Sequence, residues 1–176
     1  SSLFSIARLA IFNVVSIATT TGYATTDYNL WPTITFSLML LLSCFTTCSG
    51  STGGGVKLIR AIIMLKQARR EILRTVHPHA IIPIKIGNQT VANRVILAVL
   101  AFMFFYLVTL VTAFLFLTST GLSAGASISA ALACLNNLGP ALFELGPSAN
   151  YGILSDIQLS ILSVVMLLGR LELLTI

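Results

Sequence analysis

Charge is what this sequence has least of. Its 176 residues include five acidic and ten basic side chains, 9% charged in all, where a soluble domain carries about a quarter. So little charge cannot clothe a water-soluble globule. The three cysteines, Cys44, Cys48 and Cys134, lie in apolar or small-residue surroundings without metal-site spacing, so they read as packing residues. The two histidines, His77 and His79, flank Pro78 with no cysteine or acid at ligand spacing. They read as a solvated connector. No Ser–His, Asp–Asp or His-Glu-x-x-His pattern stands at membrane depth, which argues against an intramembrane enzyme. No secretory signal pattern opens the chain. It starts at Ser1 and ends on Leu173-Leu174-Thr175-Ile176, which reads as a fragment of a longer protein.

Apolar sequence is what fills the space. Hydrophobic residues make up 56% and the mean hydropathy is +0.97. A bilayer-spanning helix needs about 20 apolar residues, and there is room for several. Eight of the ten basic residues fall between Lys57 and Arg94. Cytoplasmic loops collect Lys and Arg, so segment 57–94 is expected in the cytoplasm. The cluster has no interleaved aromatic platform, so no nucleic acid is expected as a partner. Asn88-Gln89-Thr90 matches a glycosylation sequon, which has no meaning on that side.

Residues 2–17 read as a short helix, followed by Thr19-Thr20-Thr21-Gly22-Tyr23. Asp27, Tyr28 and Trp31-Pro32 then supply interface chemistry and a helix start. An apolar run over 32–48 stops at Gly50-Ser51-Thr52-Gly53-Gly54-Gly55. Helix resumes near Val56 and runs to about Thr75, turning basic. The break therefore falls at membrane depth, where irregular backbone survives only inside protein or beside a water-filled cavity. It is not a phosphate loop, because Val56 separates Gly55 from Lys57. It is not a dinucleotide fingerprint either, because Leu58 stands where the third glycine belongs. Residues 81–91 suggest a small hairpin with a Gly87-Asn88 turn. Residues 94–118 form the clearest span. A short helix over 124–135 leads to Asn136-Asn137-Leu138-Gly139-Pro140, and a last apolar helix covers 155–176.

Gly22 and Gly139 lie 117 residues apart. At that offset, a short helix precedes each glycine and a longer apolar helix follows. This is the order of a re-entrant pore-loop unit. Its short helix aims a negative C-terminal end into the membrane, which favours a cation. Loop carbonyls then replace the ion's hydration shell. The expected fold is all-α and integral to the membrane, with tandem helix–pore loop–helix repeats like those of potassium channels and one glycine-broken transmembrane helix. The same offset carries Arg170 onto Gly53, so the arginine and the break are expected at one depth. An arginine there is costly unless paired, and Ser51, Thr52, Glu172 or loop carbonyls are candidate partners. Asp27, Glu144 and Asp156 gather at the opposite, outer side, as a solvated rim or a cation-attracting entrance.

Four motifs in this order, TTTGY, GSTGGGVK, NNLGP and GRLE, resemble the Trk/Ktr/HKT potassium transporter superfamily, with its bacterial TrkH/TrkG-type uptake subunits as the nearest likeness. The resemblance covers essentially the whole chain. It implies four pore repeats around one pathway, of which 1–75 is the third without its first helix (pore helix 2–17, filter 19–23, broken helix 32–75). Residues 76–93 are then a cytoplasmic connector. Residues 94–176 are the fourth repeat, with outer helix 94–118, pore helix 124–135, filter 136–140 and inner helix 155–176.

Implied filter residues are Thr20, Thr21, Gly22, Asn137, Leu138 and Gly139. Implied gating residues are Gly50, Gly53, Gly54, Gly55 and Arg170. The resemblance further implies K+ as the transported ion with no organic cofactor, homodimers of the parent subunit, and TrkA-like cytoplasmic nucleotide-binding regulatory subunits. The implied function is potassium uptake across a bacterial inner membrane through a gated, channel-like pore. A sodium- or proton-coupled cation symporter and a non-transporting membrane fragment remain open as alternatives.

Overall fold

A computed structural model describes residues 3–45, 54–78, 80 and 82–171. The architecture is mostly helical: α1 (Leu3–Ala18), α2 (Thr33–Phe45), α3 (Leu58–Val76), a hairpin of β1 (Lys85–Ile86) and β2 (Gln89–Thr90), α4 (Asn93–Ser119), α5 (Ala124–Leu135) and α6 (Asp156–Arg170).

Among the described residues, α4 alone is long and apolar enough to cross a membrane. Its 27 residues reach about 40 Å. It turns Leu97, Phe104, Leu107 and Leu115 outward. Helix α5 has 12 residues and a reach of about 18 Å. Its small side chains let other backbone come close on several sides. Ala126, Ser127, Ala130, Ala131 and Ala133 are fully buried. It packs between α4 and α6 and also touches α2. The main core gathers Leu117, Leu135, Leu138, Leu145 and Leu162 around it.

Helix α1 pairs with α2, and α3 with α4. A second, smaller core of Ile63, Ile84, Ile96 and Val99 fixes the hairpin beneath α3 and α4. Strand pairing sets Lys85 opposite Thr90 and Ile86 opposite Gln89. The turn is Gly87-Asn88 as expected, with Gly87 at φ +58°. Lys66 donates to the Lys85 carbonyl at 2.6 Å.

The expected boundaries hold closely for α1, α4 and α5. The inner helices are described over Thr33–Phe45 for α2 and Asp156–Arg170 for α6. Residues 46–53 and 172–176 lie outside the described residues, and with them Gly50, Gly53 and most of the glycine break.

One expectation needs correction. The offset of 117 holds only as far as the two glycines. Asp27 caps the turn at Tyr28–Leu30 by accepting from the Asn29 amide, and Asn150 caps the turn at Tyr151–Ile153 by accepting from the Gly152 amide. These turns, and the helices that follow them, are 123 residues apart. The second copy carries six additional residues around the 3-10 turn Phe143–Leu145. The described parts of α2 and α6 are thus in a register of 123, and Gly53, with which Arg170 was expected to align, lies outside the described residues.

Candidate ion pathway

Helices α1 and α5 end with the same pair of capping hydrogen bonds. Thr20 N–H donates to Ile17 C=O and Asn137 N–H to Cys134 C=O, both at 3.1 Å. Thr21 N–H donates to Ser16 C=O and Leu138 N–H to Ala133 C=O, both at 2.8 Å. This pair of bonds is the Schellman cap, which needs a left-handed residue just past the helix. That residue is normally glycine. Here it is Thr20 at φ +55° and Asn137 at φ +54°. Asparagine tolerates this region, whereas a β-branched threonine is strained in it. Gly22 and Gly139 follow at φ +81° and +100°, a conformation glycine adopts without a steric penalty.

The two loops meet. A Cβ on Gly22 would lie 2.1 Å from the Leu138 carbonyl oxygen and 3.3 Å from Pro140 Cδ. Leu138 buries its side chain, while Gly139 and Thr21 are exposed. All six expected filter residues thus belong to two loop segments that touch at Gly22 and Leu138.

Each loop is braced from behind. Ser16 donates to the Tyr23 carbonyl at 2.6 Å. Buried Asn13 donates to the Leu9 carbonyl at 2.8 Å and to the Thr25 hydroxyl at 3.0 Å. In the second copy Tyr151 donates to the Gly139 carbonyl at 2.9 Å, and the Asn137 amide donates to the Met166 carbonyl at 3.2 Å. On the outer side, the Asn29 amide accepts from Phe143 N–H at 3.0 Å and donates to Phe143 C=O at 3.2 Å. The Ser148 hydroxyl donates to Asp27. Burial, and then the Asp27 carboxylate, push the Tyr28 phenol up to about 12, so it is neutral at physiological pH.

Of the expected gating residues, Gly54, Gly55 and Arg170 are described, and the two glycines are buried. A Cβ on Gly54 would sit 2.1 Å from the Asn136 carbonyl oxygen, and one on Gly169 would sit 2.0 Å from the Leu135 carbonyl oxygen. The end of the glycine break and the end of α6 therefore rest on two consecutive peptides at the end of α5. Arg170 is exposed beside Gly169. Its expected partners Ser51, Thr52 and Glu172 lie outside the described residues. Sequence reasoning did not single out Asn13, Ser43 or Tyr106, and it took Asn136 only as the first residue of the 136–140 loop. The one available signal was a polar group on an otherwise apolar helix, and its partners lie far away in the chain.

A family model described as "TrkH: Cation transport protein" matches residues 5–176. The Trk system potassium uptake protein TrkH of Halomonas elongata is 44% identical over 169 residues, 96% of this chain and 35% of that protein. TrkH of Escherichia coli K12 is 37% identical over 176 residues, 100% of this chain and 36% of that protein. The crystal structure of the potassium transporter TrkH from Vibrio parahaemolyticus matches with a TM-score of 0.86 at 40% identity, covering 98% of this chain and 36% of that one. These relatives are transport proteins rather than enzymes. The chain belongs to the TrkH cation transport protein family. It spans about a third of the length of the curated relatives it matches.

Proposed function

We propose that the parent protein carries K+ across a bacterial inner membrane, and that this chain supplies two of the four strands lining its selectivity filter. Segment 1–75 is the third pore repeat without its first helix, 76–93 a cytoplasmic connector and 94–176 the fourth repeat. The observation that carries this reading is the doubled Schellman-capped helix ending in a left-handed residue and a positive-φ glycine, with the two glycine loops in contact. Such a loop can present carbonyl oxygens to a dehydrated cation. The capped helix ends point a negative dipole toward the same place. Thr20, Thr21, Gly22, Asn137, Leu138 and Gly139 are the filter residues.

The segment Gly50–Gly55 with Arg170 is the gate below them. The seating of Gly54 and Gly169 on consecutive α5 peptides supports it, because both gating elements then converge on the filter base. A homodimeric parent regulated by cytoplasmic nucleotide-binding subunits completes the assembly, with segment 57–94 facing them.

The test is potassium uptake by a transport-deficient strain carrying the full-length gene, with Gly22→Ser as the variant. The positive φ and the 2.1 Å approach to the Leu138 carbonyl leave no room for a side chain, so K+ over Na+ discrimination should collapse. Unchanged discrimination would overturn the filter assignment.

A further inference from the structure

A buried polar cluster lies where three helices meet, and neither the family match nor the pore-loop pattern accounts for it. Tyr106, midway along α4, donates to Asn136 Oδ1 at 2.8 Å. Asn136 Nδ2 donates to Ser43 Oγ at 3.2 Å and to Cys44 Sγ at 3.3 Å, both near the end of α2. The Ser43 hydroxyl donates to the Leu40 carbonyl at 2.7 Å. Asn136 and Ser43 have no exposed surface, and Tyr106 and Cys44 are 6% and 7% exposed.

A primary amide offers two donors and an acceptor oxygen. Here both kinds are used, against partners from two other helices. A buried network satisfied in this way is stiff and geometrically specific. Its position gives it a consequence. The chain returning from the glycine break is seated on the same residue. Gly54 lies against the Asn136 carbonyl. A Cβ on Gly55, at φ +90°, would lie 3.2 Å from Asn136 Oδ1 and 2.9 Å from the Cys44 carbonyl. Val56 N–H closes the seat by donating to that Cys44 carbonyl at 2.9 Å. One residue further along, Asn137 takes its left-handed turn, and the next carbonyl, Leu138, abuts Gly22.

We infer that Asn136, held by Tyr106 and Ser43, is a positioning residue that couples the glycine break to the filter strand. The inference rests on reading 136–140 as a filter strand and 50–55 as a gate. Any displacement of Gly54 and Gly55 lifts them off Asn136. The peptide that starts the filter strand then loses its packing on one side. Conversely, loosening the amide from its partners frees the base of the filter without touching any carbonyl that meets an ion. The side chains of the cluster are buried and bonded to one another, so loosening them acts on the shape of the strand.

The experiment uses the full-length parent protein in liposomes, reading K+ and Na+ flux separately. Tyr106→Phe removes one hydroxyl and keeps the ring. Ser43→Ala removes the oxygen acceptor of the same amide's nitrogen. The first leaves the amide oxygen without its Tyr106 donor and the second leaves the amide nitrogen only the weak Cys44 sulfur acceptor, and K+ over Na+ discrimination should fall by about tenfold. Each should also change how strongly Gly54→Ala affects flux, because both act through Asn136. A merely structural tie would lower the melting temperature or the yield and leave discrimination at its original value.

Wild-type discrimination in both variants, with fold intact and Gly22→Ser impaired, overturns the positioning role alone. If one variant fails to fold, the other reads the same amide. Unchanged discrimination in Gly22→Ser overturns the filter reading on which the inference rests.

Discussion

Thr20 and Asn137 hold the same left-handed conformation, at φ +55° and +54°, 117 residues apart. Each is the residue that closes a Schellman cap at the end of a short helix. They differ in what the conformation costs. A β-branched residue is disfavoured there by roughly 1–2 kcal/mol, whereas asparagine adopts it readily. Thr20→Gly should therefore raise the stability of the parent protein by about 1 kcal/mol. Because glycine also loosens the loop, it should weaken K+ discrimination. Asn137→Gly gains little and loses the bond to the Met166 carbonyl, so its stability should be unchanged or lower by about 1 kcal/mol. Thermal unfolding of the two variants side by side checks the contrast. Equal shifts in both would refute the strain argument.

Gly54 and Gly169 approach carbonyl oxygens of neighbouring backbone so closely that a methyl group cannot fit unless the helix end moves. Gly54→Ala and Gly169→Ala should each cost about 1–3 kcal/mol and reduce K+ flux sharply. Gly87 in the hairpin has nothing within 4 Å of an added Cβ. Gly87→Ala should cost only the backbone strain of its positive φ, about 1 kcal/mol, and should leave flux intact. Uptake assays on the three variants separate crowding at the pathway from a general intolerance of glycine replacement.

Asn29 ties the outer parts of the two loops together through both hydrogen bonds to Phe143, itself at φ +58°. Asn29→Ala should destabilise the outer face by about 1–2 kcal/mol. Gly146→Ala should reproduce much of the defect, since its Cβ would fall 2.0 Å from the Asn29 amide nitrogen. Faster hydrogen exchange over 141–150 in either variant, relative to Asn88→Ala in the hairpin turn, is the expected readout. Unchanged exchange in both would show that the tie carries no weight.

Much of the architecture was legible because it is local. The end of α1 at Ala18, the extent of α5 and the Gly87-Asn88 turn follow from apolar run length, small residues and glycine chemistry over a few neighbours. Gly22, Gly87 and Gly139, read from the sequence as loop and turn glycines, all stand at positive φ. The register of the inner helices could not be read in this way. The six additional residues around Phe143–Leu145 contain ordinary turn chemistry and leave no mark that separates an insertion from a longer loop. The offset of 117 read from the glycines therefore does not carry over to α2 and α6, whose starts are 123 residues apart.

The sequence by itself determined that the chain is apolar, helical and built on a repeated short helix with a glycine loop. Charge content, hydrophobic run length and backbone permissiveness are properties of a residue and its near neighbours. Tertiary structure alone decided what holds the loops in place: Asn136 on Ser43 and Tyr106, 93 and 30 residues away, and Asn29 on Phe143, 114 residues away. A buried amide finds its partners only after the helices have packed. Its role follows from which groups that packing brings within hydrogen-bond reach, and the amide's place in the sequence does not specify them.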